Sequence, residues 1–217
     1  MNAQPETYIT YVIMAVTIAF SFYAFNRAEV LRKFMMTPYL IHSRKQYYRF
    51  VSSGFIHNDH MHLLLNMFSF YFFGRNVEFI FRAIFGPVLG GVYFVALYIM
   101  AIVVSDLPTF LKQKNNPAYS ALGASGGVAA IIFASIIFQP LNDICLYAVL
   151  CFPGFILGTL YVVFSYYQGR KANDGINHDA HLYGALFGLV FCIVMYPDCI
   201  PFFIEQLKGW KYFQMFQ

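Results

Sequence analysis

The chain has 217 residues, 59% hydrophobic and only 11% charged, with a formal net charge of +4 and a mean hydropathy of +0.58. Soluble globular domains carry about 25% charged residues, so this chain cannot cover its surface with polar groups, and most of that surface must face lipid. The dispersed positive charge forms no basic stripe, which argues against nucleic acid as a partner. Twenty-six Phe and 17 Tyr fit a protein with many rings near lipid headgroups. The expectation is an all-α, polytopic membrane protein forming one domain over residues 1–217, without internal repeats.

A membrane-spanning helix needs about 20 mostly apolar residues. Six stretches qualify or come close: 8–25, 60–81, 84–104, 120–138, 144–166 and 179–196. The first has no basic segment before it and no small-residue cleavage site, and its positive charges follow it, so it is expected to be a retained span. The long link at about 26–59 carries the apolar patch Phe34-Met-Met-Thr-Pro-Tyr-Leu-Ile41 between basic clusters. That pattern suggests a loop partly embedded in the interface. The links at 105–119 and 168–177 are polar, and the tail after Pro197 is amphipathic and too short to span. None of the four cysteines forms a CxxC pair, and they are expected to be small buried hydrophobes.

With six spans, the second, fourth and sixth run in one direction and begin on one membrane face. Three short polar strings lie at those starts: His62-Leu-Leu-Leu-Asn66, Gly123-Ala-Ser125-Gly126 and His181-Leu-Tyr-Gly184. Polar groups in a membrane are expensive and need a partner or a task. Ser125 sits among Gly123, Ala124, Gly126 and Gly127, a surface that admits either a second helix or a substrate backbone. His181, Gly184 and Gly188 share one helix face, so the imidazole points toward the helix that packs there. The complementary small-residue helix is the one carrying Ser125. A histidine base beside a serine hydroxyl is the arrangement that activates a serine nucleophile.

Asp179, Asp174 and Asp198 are poorly placed to orient the ring, so a Ser125–His181 dyad is expected, with Asp179 solvated or capping its helix. His62 and Asn66 share a face of the second span and are suited to stabilise a developing oxyanion together with the Ser125 backbone N–H. His57, His60, His62, His178 and His181 also invite a metal reading. There is no HExxH motif and no evident acidic base, so neither a metal nor another cofactor is expected.

With these residues assembled, the sequence resembles the rhomboid family of intramembrane serine proteases. The three strings occur in the family's order and near its spacing; Arg49 matches its first-loop arginine, and Gly74 and Glu78 match its glycine and glutamate near the end of span two. The resemblance implies a six-helix bundle with a hydrated cavity opening to the non-cytoplasmic side. Ser125 would be the nucleophile, His181 the general base, and His62 and Asn66 the oxyanion donors. Gly123, Gly126, Gly184, Gly188, Arg49 and Glu78 would have structural roles near the site. Substrates would be single-span membrane proteins, with span five or its loops as a lateral gate. The expected location is a multi-pass position in a bacterial cell (inner) membrane.

Two positions depart from the family pattern. Tyr48 replaces a tryptophan, and Ala129 stands where an aromatic often packs on the histidine, so the ring must be held differently. Charge counting also pulls against the implied orientation. Ten Arg and Lys lie in the links after spans one, three and five, against four on the other side, which alone would put the site face in the cytoplasm. The family orientation is preferred because six of those ten sit in a partly embedded loop. The alternatives to the protease are a helix-binding relative that does not cleave and a small transporter. Both Ser125 and His181 are present, and no paired broken helices occur in related halves.

Overall fold

The computed structural model describes residues 6–146, 149–171 and 175–210. Helix α1 (Tyr8–Phe25) leads into a folded link made of α2 (Ala28–Phe34), α3 (Pro38–Arg44), α4 (Arg49–Ser52) and a 3-10 turn (Ser53–Phe55). Helices α5 (His60–Phe85), α6 (Pro87–Gln113) and α7 (Ser125–Phe138) follow. An antiparallel hairpin, β1 (Asp143–Leu146) and β2 (Leu150–Pro153), precedes α8 (Gly154–Lys171), α9 (His178–Met195) and the short α10 (Cys199–Lys208).

Local chemistry explains where these helices begin. Asp59, in extended conformation, accepts the His62 N–H at 2.8 Å and caps α5. Gly86 ends α5 at φ +84°, and Pro87 starts α6 at the position where a missing N–H costs nothing. Asn177 caps α9 by accepting the Ala180 N–H at 3.2 Å.

Each of the six apolar stretches contains a helix, but they are not equivalent. Among the described residues, three helices, α1, α6 and α9, are long and apolar enough to cross a membrane by length and composition. The fourth stretch yields α7, only 14 residues, or about 21 Å. Every residue of α7 except Ser125 and Ile132 is buried, so it is shielded by neighbouring helices rather than by lipid. The core around it is built from Phe70, Phe81, Phe94, Leu97, Tyr98 and Ile131, each almost completely buried.

The fifth stretch starts later than its hydropathy suggests. Residues 143–146 and 150–153 form the paired strands, and the helix begins at Gly154. Cys145 faces Cys151 across the two strands, and the pair is disulfide-bonded and exposed. The expectation of four buried thiols is therefore corrected for these two; Cys192 and Cys199 are free and buried.

Arg49 and Glu78 anchor the fold at opposite ends. Buried Arg49 donates to Gln46 Oε1 (2.7 Å), the Arg32 carbonyl (2.9 Å) and the Met35 carbonyl (2.8 Å), tying the link into one body. Fully buried Glu78 accepts from the N–H groups of Ile9 (3.0 Å) and Thr10 (2.8 Å), the Thr10 hydroxyl (2.8 Å) and Arg82 Nε (3.1 Å). It thereby satisfies two first-turn donors of α1, where a negative charge also complements the helix dipole.

Helices α7 and α9 pack backbone against backbone. A Cβ added at Gly184 would lie 2.2 Å from the Gly126 carbonyl oxygen, and one at Gly188 would lie 2.3 Å from that of Ala130. The two backbones therefore touch along a seam that only glycine permits on the α9 side. Gly188→Ala, remote from the polar strings, is expected to force the helices apart and to cost about 1–3 kcal/mol. A lowered thermal unfolding midpoint in detergent would register this; an unchanged midpoint would mean the seam is slack.

Candidate functional site

Ser125 opens α7, and the geometry around it is set by the segment before it. Met36 and Ala121 exchange two backbone hydrogen bonds of 2.9 Å, pinning the link to the strand-like approach to α7. The Gly123 N–H donates to the Ser53 carbonyl at 2.9 Å. Gly123 has φ +117°, and a Cβ there would sit 2.5 Å from the His62 ring. A side chain is thus barred twice, by backbone conformation and by the imidazole. Ser125 itself is half-buried.

His57 completes this scaffold, a role invisible in the sequence pattern. Completely buried, it accepts the Ala124 N–H at Nε2 (3.3 Å), so Nδ1 carries the proton and faces Ser21 Oγ at 3.0 Å. Ser21 in turn donates to the Phe55 carbonyl at 3.3 Å. Only neutral imidazole can accept at Nε2. Burial first, and the neighbouring His62 second, push the His57 pKa down to about 3. The His57 and His62 rings meet edge to face, 5.0 Å between centroids. His60, by contrast, is exposed beside the rings of Phe22 and Phe25.

At the start of an α-helix the first N–H groups have no partner within the helix. Here the Val128 N–H bonds the Ala124 carbonyl, leaving those of Ser125, Gly126 and Gly127 at the helix mouth. The serine backs onto a small cavity of about 20 Å³, also lined by Ser53, Ser105, Asp106, Gly126 and Asn177. Sequence reading missed Ser53, Ser105, Asp106 and Asn177. Only Asn177 carried a signal, as a capping residue just before an apolar run.

The α7–α9 seam sets the turn of α9 that carries His181 against the turn of α7 that carries Ser125. Ala180, beside His181, directs its carbonyl toward Gly126, 3.4 Å from where a Cβ would be. The α9 start is laced to α6 by Thr109 Oγ1 donating to Asn177 Oδ1 (2.9 Å) and by the Lys112–Asp179 ion pair. Asp179 is therefore neither the cap nor freely solvated; its carboxylate is engaged by Lys112. The His181 ring lies nearly parallel to that of Tyr161 from α8, at 6.2 Å and 22°, and 6.0 Å from that of His178.

The structure thus brings His62, Gly123, Ser125, Gly126, His181 and Gly184 into one region. Asn66 is buried on the same face of α5, but its carboxamide donates to its own helix, to the His62 carbonyl at 2.9 Å. Arg49 acts in the link, one element removed. Glu78 is not near the site: it lies 16 residues beyond His62 on α5, about 24 Å along the axis. Among the described residues, no group of three or more His, Cys, Asp or Glu is arranged to hold a metal.

A helical membrane protein with a serine opening a buried helix, its glycine-rich surround packed against α5 at His62 and against the first turn of α9, is the class that fold and site define. Residues 44–198 match the family described as the Rhomboid domain, and the chain belongs to the rhomboid family. It is 26% identical over 170 residues to RHOMBOID-like protein 12, mitochondrial, of Arabidopsis thaliana, covering 74% of this chain and 50% of that protein. It is 28% identical over 167 residues to Rhomboid-like protein 11, chloroplastic, of the same plant, covering 70% and 54%. The chain spans about half the length of the curated relatives it matches.

The His57 network predicts a pH effect on stability. Unfolded His57 takes up a proton near pH 6.5 and folded His57 only near 3, so between these values the unfolded state binds more protons. Its contribution is complete above pH 6.5 and is lost as pH falls toward 3, by up to about 1.4 kcal/mol per pH unit. His57→Gln does not titrate, so its unfolding midpoint should fall less steeply between pH 7 and 4 than that of the wild type. Parallel slopes would contradict the buried neutral histidine.

Proposed function

We propose that this protein is an intramembrane serine endopeptidase, a single domain with six membrane helices, cleaving single-span membrane proteins in or near their spanning segment. The observation that carries the reading is the glycine seam between α7 and α9, with Ser125 and His181 one residue and one turn from its Gly126–Gly184 contact. In this reading, His181 takes the proton of Ser125 Oγ as the oxygen attacks the scissile carbonyl. Charge developing on the carbonyl oxygen is met by the Ser125 N–H at the helix mouth and by His62. His181 then returns the proton to the leaving amine, and water releases the acyl group by the reverse sequence.

Asn66 joins as a donor through its second amide N–H, the first being held by the His62 carbonyl, so its share is the smaller one. The α8 helix, docked mainly on α9, is the candidate for lateral entry. The site face is assigned to the non-cytoplasmic side. The bilayer and transmembrane substrates are the proposed partners. The membrane location rests on the apolar helices and the family, and the named relatives, mitochondrial and chloroplastic, give the bacterial location no support.

The competing reading is a rhomboid-like protein that binds transmembrane helices without cutting them. The Asn66 carboxamide, engaged by its own helix, is the feature that favours it. The test is cleavage of a fluorescent single-span peptide in detergent micelles. Wild type should cut, Ser125→Ala and His181→Ala should both be inactive while folded, and Asn66→Ala should be slowed about tenfold, the low end for a lost oxyanion donor. A Ser125→Ala protein that still cuts would overturn the protease assignment; binding without cutting by the wild type would establish the competing reading.

A further inference from the structure

We propose that Tyr161 of α8 is the positioning residue for the His181 base, in the place an aromatic on α7 would otherwise hold. This rests on the serine-protease reading above. The position one helical turn after Ser125 is Ala129, 2% exposed. With only a methyl there, α7 leaves room for a ring from another helix. Ala129, Phe133 and Ala185 form a small cluster, and Tyr161 packs against it together with Val162 and Leu189. The Tyr161 ring is 5.8 Å from that of Phe133 on one side and 6.2 Å from that of His181 on the other, inclined at 22° to the imidazole. Within 4.5–7 Å, such an offset parallel pair is a favourable aromatic arrangement.

The chemistry gives this contact more than a packing role. When His181 accepts the serine proton it becomes an imidazolium, and an aromatic face attracts a cation in a partly buried site. The contact therefore strengthens as the reaction proceeds, and its loss lowers kcat with little change in KM. It also ties the base to α8: displacing that helix from α9 removes the ring from the imidazole. An aromatic on α7, which carries the nucleophile itself, would impose no such coupling.

The test is the kinetics of wild type, Tyr161→Leu, Tyr161→Phe and Ala129→Phe/Tyr161→Leu on a single-span peptide in micelles, with Ser125→Ala as blank. Leucine keeps apolar bulk but offers no aromatic face. The expected result is a five- to thirtyfold lower kcat for Tyr161→Leu with KM within about twofold, as for loss of a partly desolvated cation–π contact. Tyr161→Phe should restore most of that loss, and so should Ala129→Phe in the Leu background. Thermal midpoints report folding, and the double variant remains decisive if Tyr161→Leu proves unstable: a folded double variant as slow as Tyr161→Leu overturns the inference. So does a Tyr161→Leu enzyme with wild-type kcat beside an inactive Ser125→Ala, and in that case the protease reading stands. A wild type that does not cut defeats the protease reading, and the inference falls with it.

Discussion

Backbone contact between α7 and α9 is the constraint on which the rest of the structure depends. Two glycines on α9 face two carbonyls on α7 at a separation that leaves no room for a methyl group. In lipid no hydrophobic force drives helices together, so close packing of small residues has to supply the attraction. The seam fixes the relative depth of the two helices as well as their distance. The first turns of both therefore lie side by side, and the residues there, Ser125 and His181, inherit that register.

Around the seam, the protein invests its buried polar groups in holding the helix mouth. His57 and Ser53 secure the two residues before Ser125, and the Met36–Ala121 bridge secures the segment before those. On the α9 side, Asn177 and Asp179 bind α6 through Thr109 and Lys112. None of these contacts involves the serine hydroxyl. The polar network therefore rigidifies the frame and leaves the Ser125 hydroxyl outside it, as the proposed chemistry requires of preorganised donors. At the far end of α5, Glu78 and Arg82 do analogous work for α1, unconnected to the site.

Much of this was legible in the residues. Gly184-x-x-x-Gly188 announced a close-contact face, and the glycine-rich surround of Ser125 identified its complement. What escaped had no periodic signature. The strands at 143–146 and 150–153 are as apolar as a helix, and only the pairing of Cys145 with Cys151 across them betrays the turn from helix to sheet. His57 sits in an aperiodic loop, and its partners Ser21 and Ala124 are distant in sequence. Glu78 matched a family position, but its distance from His62 along one helix already excluded a place near the serine. Tyr161 lay hidden among the rings of an aromatic-rich chain, although Ala129 marked the vacancy it fills.

The central claim is that this seam makes Ser125 a nucleophile through His181. Its most direct measurement is peptide mapping by mass spectrometry after treating the membrane-embedded protein with a fluorophosphonate. The account predicts one modified residue, Ser125, in the wild type and none in a folded His181→Ala variant. Modification at Ser53 or Ser105 instead, or equal modification of Ser125 without the histidine, would contradict it.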